Sequence, residues 1–204
     1  MLPLLAFVAA VFFWSAVGPL DRFTWFLEVL PVLVGLPLLA VTYRRFPLTA
    51  LAYSLIAAHA VILMVGGHYT YAEVPLFNWL RDSLGLARNH YDRLGHFAQG
   101  FVPAILAREV LLRRTPLRRG GWLLTIVMSI CLAISALYEL FEWGVAVATG
   151  TAAGAFLGTQ GDVWDTQKDM AMCLVGALSA LFILSRAHDR SLFRLVSGSD
   201  GVRP

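Results

Sequence analysis

Charged residues are scarce in this chain: Asp, Glu, Lys and Arg make up 14% of its 204 residues. A soluble domain carries about 25%, so this chain has too few charged groups to cover a globule exposed to water. Hydrophobic residues make up 58% of the sequence, and the mean hydropathy is +0.70. They fall in runs near the length of a membrane span. The sequence therefore predicts a polytopic, all-α transmembrane helical bundle.

Cysteine is scarce as well, with Cys131 and Cys173 the two in the chain. Both lie within apolar runs, and a disulfide framework usually needs more cysteines in a loop-rich chain, so both are predicted to be buried thiols. The sequence has no phosphate-binding glycine loop, nucleophile elbow or paired-cysteine zinc motif. The net charge of +3 does not indicate nucleic-acid binding, because the basic residues cluster in short connections between apolar runs.

Six apolar runs predict six spans, at residues 2–17, 24–41, 48–66, 94–112, 121–147 and 170–186. The first run is kept as a span because it lacks a basic start and is long for a signal-peptide core. Residues 1–186 then form a single transmembrane domain. Residues 187–204 are predicted to be a polar, frayed cytoplasmic tail, in which His188 has no expected role.

Lysine and arginine are distributed unevenly over the connections. Eleven fall on one side: Arg44, Arg45, Arg108, Arg113, Arg114, Arg118, Arg119, Arg186, Arg190, Arg194 and Arg203. Five fall on the other: Arg22, Arg81, Arg88, Arg93 and Lys168. Basic residues are enriched in cytoplasmic loops, so both termini are predicted to be cytoplasmic.

Acids and histidines recur at helical spacing at the predicted outer ends of spans four, five and six. Three pairs share a helix face by their spacing of three or four residues: Asp92 with His96, Glu139 with Glu142, and Asp165 with Asp169. Sequential helices joined by short loops usually pack together, so we expect the pairs to converge. Ionisable groups beside lipid are costly and are therefore functional candidates.

So many carboxylates cannot all be ionised in one dry pocket. Protonation, pairing with Arg93 or Lys168, or a bound cation would relieve the repulsion. Mixed carboxylate and imidazole donors suit a divalent metal, with zinc, manganese or iron favoured over magnesium or calcium if His96 is a ligand. The predicted metal ligands are Asp92, His96, Glu139, Glu142, Asp165 and Asp169.

Four further residues lie at the same predicted depth: Glu28, His68, His90 and Asp162. Aspartate at a helix N-terminus can instead serve as a cap, and this alternative stays open for Asp92, Asp162 and Asp165. Glu139 and Glu142 lie near a helix C-terminal end, where the helix dipole disfavours an acid, so capping does not explain them.

Three remaining features have a structural interpretation. His59, in the middle of span three, is interpreted as a satisfied core histidine. The aromatic segment 68–79 is typical of a chain lying at the lipid interface. Gly100 and Gly176 would let two spans approach closely.

Four blocks of sequence, in this order, resemble the YjdF-type bacterial inner-membrane proteins: HYTYAEVP from His68, NHYDRLGHF from Asn89, YELFEW from Tyr138 and GDVWDTQKDM from Gly161. That family consists of small polytopic proteins with a domain of unknown function. The resemblance implies a multi-pass protein of the bacterial inner membrane.

A looser resemblance, over residues 92–176, is to the VanZ-like family, some of whose members are linked to glycopeptide-antibiotic resistance. That family likewise has an acid before a His-Phe pair, an acid near the end of the next helix, and an Asp-x-x-Asp entering the last.

Three functions fit these observations. The first is a metal-dependent enzyme that hydrolyses a lipid or a lipid-linked envelope substrate at the outer face. A metal would generate hydroxide, and Glu139, Glu142 or Asp92 would be the catalytic carboxylate. The second is a non-catalytic protein that binds lipid or envelope components. The third, an ion-coupled transporter, is less favoured because the inner halves of spans five and six are almost wholly apolar.

Overall fold

The computed structural model describes residues 2–150, 154–157 and 159–200. Over these ranges it contains eight α-helices and no strand, which confirms the all-α prediction. The helices are α1 (Leu2–Ala16), α2 (Arg22–Thr42), α3 (Ala50–His68), α4 (Pro75–Leu84), α5 (Tyr91–Arg114), α6 (Gly121–Thr149), α7 (Gly154–Leu157) and α8 (Asp165–Asp200).

Four of the helices are long and apolar enough to cross a membrane: Arg22–Thr42, Ala50–His68, Gly121–Thr149 and Asp165–Leu195. The two other expected spans are also helical but differ from these four. Helix α1 is apolar but has only 15 residues. Helix α5 has 24 residues but carries charged side chains near both ends. The fold is that of a polytopic membrane protein, and the number of spans stays a prediction.

The connection between α3 and α5 contains a helix that was not predicted. Helix α4 begins with Pro75 and ends at Gly85, whose φ of 63° is left-handed. Proline at the first helical position and glycine just past the last are the signals that mark such a helix. Its exposed Leu76 and Trp79 suit the interfacial position expected for this segment.

Helices α5 and α8 cross in backbone contact. A Cβ atom added at Gly100 would overlap the carbonyl oxygen of Cys173, and one added at Gly176 would overlap that of Phe97. The prediction that these glycines allow close approach is therefore confirmed. Cys131 and Cys173 are buried free thiols in the surrounding core, also as predicted.

The segment 187–200 continues α8 as a helix, so the expectation of a frayed tail is wrong for these residues. Residues 201–204 lie outside the described ranges. His188 is fully buried rather than without a role. Its Nδ1 lies 2.8 Å from Nη1 of Arg108 and its Nε2 lies 3.1 Å from Oε2 of Glu109. Because an arginine can only donate, Nδ1 accepts from Arg108 and Nε2 donates to Glu109. These bonds fasten α8 to the end of α5.

Glu109 also joins these helices to the start of α3. It accepts from the backbone N–H of Thr49 at 2.9 Å and from the Thr49 hydroxyl at 2.7 Å. Arg108 donates to Asp189 at 2.7 Å. We call Thr49, Arg108, Glu109, His188 and Asp189 the Glu109 cluster. It lies where α3 begins and α5 ends, at the end of the bundle opposite to the acids described next.

Candidate functional site

Helices α5, α6 and α8 converge as predicted, and they bring together four of the predicted acids and histidines. His96 lies near the start of α5, Glu139 about two thirds of the way along α6, and Asp169 near the start of α8. The Nε2 atom of His96 is 3.7 Å from Oε1 of Glu139 and 3.8 Å from Oδ1 of Asp169. Asp92, one turn before His96, places its Oδ1 3.5 Å from the same nitrogen. We call these four residues the His96 set.

The orientation of the His96 ring leaves Nε2 available to the acids. Nδ1 lies 3.2 Å from the side-chain oxygen Oε1 of Gln99. An amide oxygen only accepts, so Nδ1 donates to Gln99 and the ring turns Nε2 toward the carboxylates. Metal-bound histidines are commonly fixed in this way, through a hydrogen bond from the other ring nitrogen.

The spacing of the His96 set fits metal ligands better than hydrogen bonds. Separations of 3.5–3.8 Å are longer than the roughly 2.7–3.2 Å of a hydrogen bond. Two ligands at about 2.0–2.1 Å from a tetrahedral zinc lie roughly 3.3 Å apart. Ligand atoms of Asp92, His96 and Asp169 all lie within 4.8 Å of one another, so a small contraction would bring them around one cation.

Glu139 adds a second reason to consider a cation. Its Oε1 atom is buried and has no hydrogen-bond partner within the described part of the chain. A buried carboxylate oxygen without a partner is costly. The mixed oxygen and nitrogen donors of Asp92, His96 and Asp169 fit a divalent ion, and Glu139 lies beside them at 3.7 Å from Nε2 of His96.

Two arginines bind the acids that lead into α8. Arg93 contacts Asp169 and Asp165, and its Nη2 lies 3.3 Å from Oδ2 of Asp162. Arg88 also contacts Asp165. We call Arg88, Arg93, Asp162 and Asp165 the arginine layer. Pairing with Arg93 was one of the three predicted ways to relieve repulsion, and the role of Arg88 was not foreseen.

The arginine layer also holds the segment before α8 in place. Arg88 donates to the carbonyl oxygen of Thr159 at 3.1 Å. Asn89 and Gln160 exchange two hydrogen bonds of 3.0 Å, each between one backbone and one side chain. Asn89 is fully buried. The sequence analysis gave neither Asn89 nor Gln160 a role, because the two residues that bond to each other are 71 positions apart in the chain.

Two titratable groups in the connections flank the site. Lys168 donates to Oδ2 of Asp162 at 2.6 Å, and this bond, followed by one from the Trp164 backbone, holds the pKa of Asp162 below its ordinary value. Partial burial, and then the nearby Arg88 and Arg93, lower the pKa of His90. At neutral pH Asp162 is therefore anionic and His90 is neutral.

A cavity of about 240 Å³ adjoins the His96 set. One wall is polar and includes the buried Glu28 and Glu142, together with Tyr138, whose hydroxyl donates to Oε2 of Glu28 at 3.2 Å. The remaining wall is largely apolar and includes Leu63 and Ile134. Such a cavity suits a ligand that has both polar and apolar parts.

The predicted candidates thus separate into five positions. Asp92, His96, Glu139 and Asp169 form the His96 set, Glu28 and Glu142 line the adjoining cavity, and Asp162 and Asp165 belong to the arginine layer. His90 lies at the cap position before α5. His68 lies apart from the acids: its Nδ1 is 3.0 Å from the Ser15 carbonyl oxygen and its ring stacks on Trp14.

His59 differs from the interpretation given to it. Its Nε2 is buried and has no hydrogen-bond partner within the described residues, so it is not a satisfied core histidine. It lines the same cavity as Glu28 and Glu142.

Comparison with known proteins gives two matches. The model of a family described as "Predicted membrane protein (DUF2238)" matches residues 1–190. The inner membrane protein YjdF of Escherichia coli (strain K12) is 50% identical over 190 residues, which cover 92% of this chain and 91% of that protein. No solved structure matches the chain.

Proposed function

The chain belongs to the DUF2238 family of predicted membrane proteins and is a multi-pass protein of the inner membrane, and from this premise we propose that its His96 set binds a divalent metal and hydrolyses a lipid or lipid-linked substrate. The spans would be α1, α2, α3, α5, α6 and α8, with both termini cytoplasmic. The His96 set then lies at the extracytoplasmic end, within reach of envelope lipids.

The single observation that carries this proposal is the ring nitrogen of His96 facing three carboxylates at 3.5–3.8 Å. These distances are long for hydrogen bonds and close to the edges of a metal coordination shell. The unpartnered Oε1 of Glu139 supports the same conclusion, because a cation would supply its missing interaction.

The chemistry follows from the donor set and the cavity. A bound metal lowers the pKa of its water and stabilises negative charge that develops on the substrate. Glu142 lines the cavity beside the set and is placed to take a proton from the attacking water. Water adds to the ester carbon or phosphorus, the bond to the leaving alcohol breaks, and the alcohol oxygen takes up the proton.

The arginine layer favours a second candidate, a non-catalytic lipid-binding protein. Arg88 and Arg93 already neutralise much of the charge of Asp162, Asp165 and Asp169 without a metal. Under this alternative, the remaining acids of the cavity would be held by shared protons and would bind a polar headgroup through hydrogen bonds.

Elemental analysis of the purified protein separates the two candidates. We expect about one divalent metal per chain, lost in Asp92→Asn and His96→Ala and retained in the matched control Asp82→Asn, whose carboxylate is exposed on α4 and pairs with Arg81. In proteoliposomes made from extracted bacterial lipids, mass spectrometry should show hydrolysis products that disappear in Glu139→Gln. Metal-free wild-type protein that melts at the same temperature with and without chelator would establish the binding protein instead.

A further inference from the structure

The site cavity does not end at the acids. A second cavity, of about 140 Å³, shares with it the lining residues Pro31, His59, Leu63 and Pro103. The second cavity in turn shares Leu36, Leu39, Ile56 and Ala60 with a third, of about 310 Å³. The three cavities therefore neighbour one another along α2 and α3, the second against α5 and the third against α1. We call the first two cavities together the groove.

The polarity of the groove changes sharply along its length. Its first part has the acids Glu28, Asp92 and Glu142 in its wall. Beyond His59 the second cavity is lined by apolar residues and glycine alone. From Glu28 to Leu39 the α2 helix advances 11 residues, or about 17 Å. A ligand that fills the groove has a polar head at the acids and a long apolar chain.

His59 lies at the junction between the polar and apolar parts, since it lines both cavities. Its buried Nε2 has no hydrogen-bond partner within the described residues. Buried polar atoms are nearly always paired, so the occupant of the groove should bring a hydrogen-bond partner to this point. With the imidazole proton on Nε2, that partner is an acceptor such as an oxygen. An acyl ester has its carbonyl oxygen between the head and the chain, whereas an isoprenoid chain has no oxygen there.

We propose that this groove binds one acyl chain of an ester-linked glycerolipid, with the ester carbonyl on His59 and the headgroup beside the His96 set. The inference rests on the proposed function for the role of the headgroup end, and it names the substrate class of that site.

Gly35 offers a way to block the groove without disturbing the fold. It lines the second cavity, and a Cβ added there meets no atom within 4 Å. The variant Gly35→Phe should therefore fill the groove. Gly144→Phe is the matched control, because Gly144 also has open space around it and lies on α6, away from the groove.

The test uses nanodiscs that contain phosphatidylethanolamine with a photoreactive group on one acyl chain. Crosslinks in the wild type should concentrate on the groove residues of α2 and α3, such as Leu36 and Ile56, and should fall at least fivefold in Gly35→Phe but not in Gly144→Phe. An ether-linked analogue should crosslink about two- to tenfold less, as expected for the loss of one hydrogen bond, and His59→Leu should remove that difference.

The outcomes separate this inference from the proposed function. Crosslinks spread evenly over the lipid-facing residues, or equal yields for ester and ether lipids in the wild type, would overturn the acyl-ester groove even if the protein holds a metal. Specific crosslinks in a protein that holds no metal would keep the groove and overturn the metal-dependent hydrolysis.

Discussion

The Nε2 atom of His96 faces Oε1 of Glu139 at 3.7 Å across the contact between α5 and α6. Neither residue is fully satisfied by the protein around it: the glutamate oxygen has no hydrogen-bond partner in the described part of the chain, and the histidine nitrogen is turned toward acids that are too distant to bond. The two atoms are therefore positioned to bind a cation between them.

Metal affinity should fall as the pH is lowered from about 7 to 5. Ligation needs a neutral imidazole and deprotonated carboxylates, so protons compete with the metal. We expect the apparent affinity to drop by about tenfold per pH unit for each proton that the metal displaces. Competition with a chromophoric chelator measures the apparent affinity at each pH. An affinity that rises as the pH falls would contradict ligation by these groups.

Replacing Arg93 should lower the stability of the metal-free protein and increase the stabilisation that zinc provides. Arg93→Gln leaves Asp165 and Asp169 without a main partner, and breaking a buried ion pair costs about 3–5 kcal/mol. The metal-free protein should therefore melt about 6–20 °C lower. Zinc should then raise the melting temperature by more than it does in the wild type, because a freed Asp169 binds the ion better.

The control for this variant is Arg81→Gln, which breaks an exposed pair with Asp82 on α4. It should leave both melting temperatures nearly unchanged, since exposed pairs contribute little. A smaller effect of zinc on Arg93→Gln than on the wild type would show that Arg93 supports the metal site instead of competing with it.

The crossing of α5 and α8 should not tolerate a methyl group. Gly100→Ala and Gly176→Ala each place a Cβ on a backbone carbonyl of the opposite helix, and overpacking costs about 1–3 kcal/mol or more. We expect both variants to lower the melting temperature in detergent, and Gly144→Ala, with open space around it, to leave it unchanged or raise it slightly. Equal stability of all three variants would mean that the two helices do not cross at these residues.

The Glu109 cluster should contribute stability without affecting the metal site. His188→Ala removes one hydrogen bond each from Arg108 and Glu109 and leaves a cavity where the buried ring stood. Each lost bond costs about 0.5–1.5 kcal/mol, and more where a charged group is involved. The variant should melt well below the wild type, whereas Arg186→Ala, exposed on the same helix, should not. Metal content per folded chain should stay the same, because the cluster lies at the other end of the bundle.

Reporter fusions test the topology. The eleven-to-five distribution of basic residues predicts that fusions after Arg119 and after Pro204 report from the cytoplasm, and that a fusion after Gly154 reports from the outside. An external signal after Arg119 would reverse the orientation and place the His96 set on the cytoplasmic face.

The sequence predicted the core of the candidate site because that part depends on local spacing. Residues four apart, such as Asp92 and His96, must share a helix face, and acids beside apolar runs are conspicuous. Spacing also identified Gly100 and Gly176 as points of close approach, although it did not show that they belong to the same crossing.

Other features depend on which helices pack together and on how they are aligned along the bundle axis. The local sequence pattern does not contain that information. Glu109 and His188 are bonded but belong to helices that are far apart in sequence, so each looked unremarkable alone. Arg88 was counted only as a loop charge. Helix α4, in contrast, was missed although its signals, Pro75 and Gly85, were present.

The charges at both ends of α5 have a consequence for how the protein is made. Unlike α2, α3, α6 and α8, α5 is not apolar enough to be recognised as a span by itself, and Arg93, Arg108 and Glu109 find their partners on α8 or α3. Since α8 follows α5 in the chain, with α6 and α7 between them, the partners of Arg93 and Arg108 are synthesised well after α5 itself. The charges of α5 are therefore neutralised only when α8 packs against it, so insertion of α5 and packing of α8 are coupled.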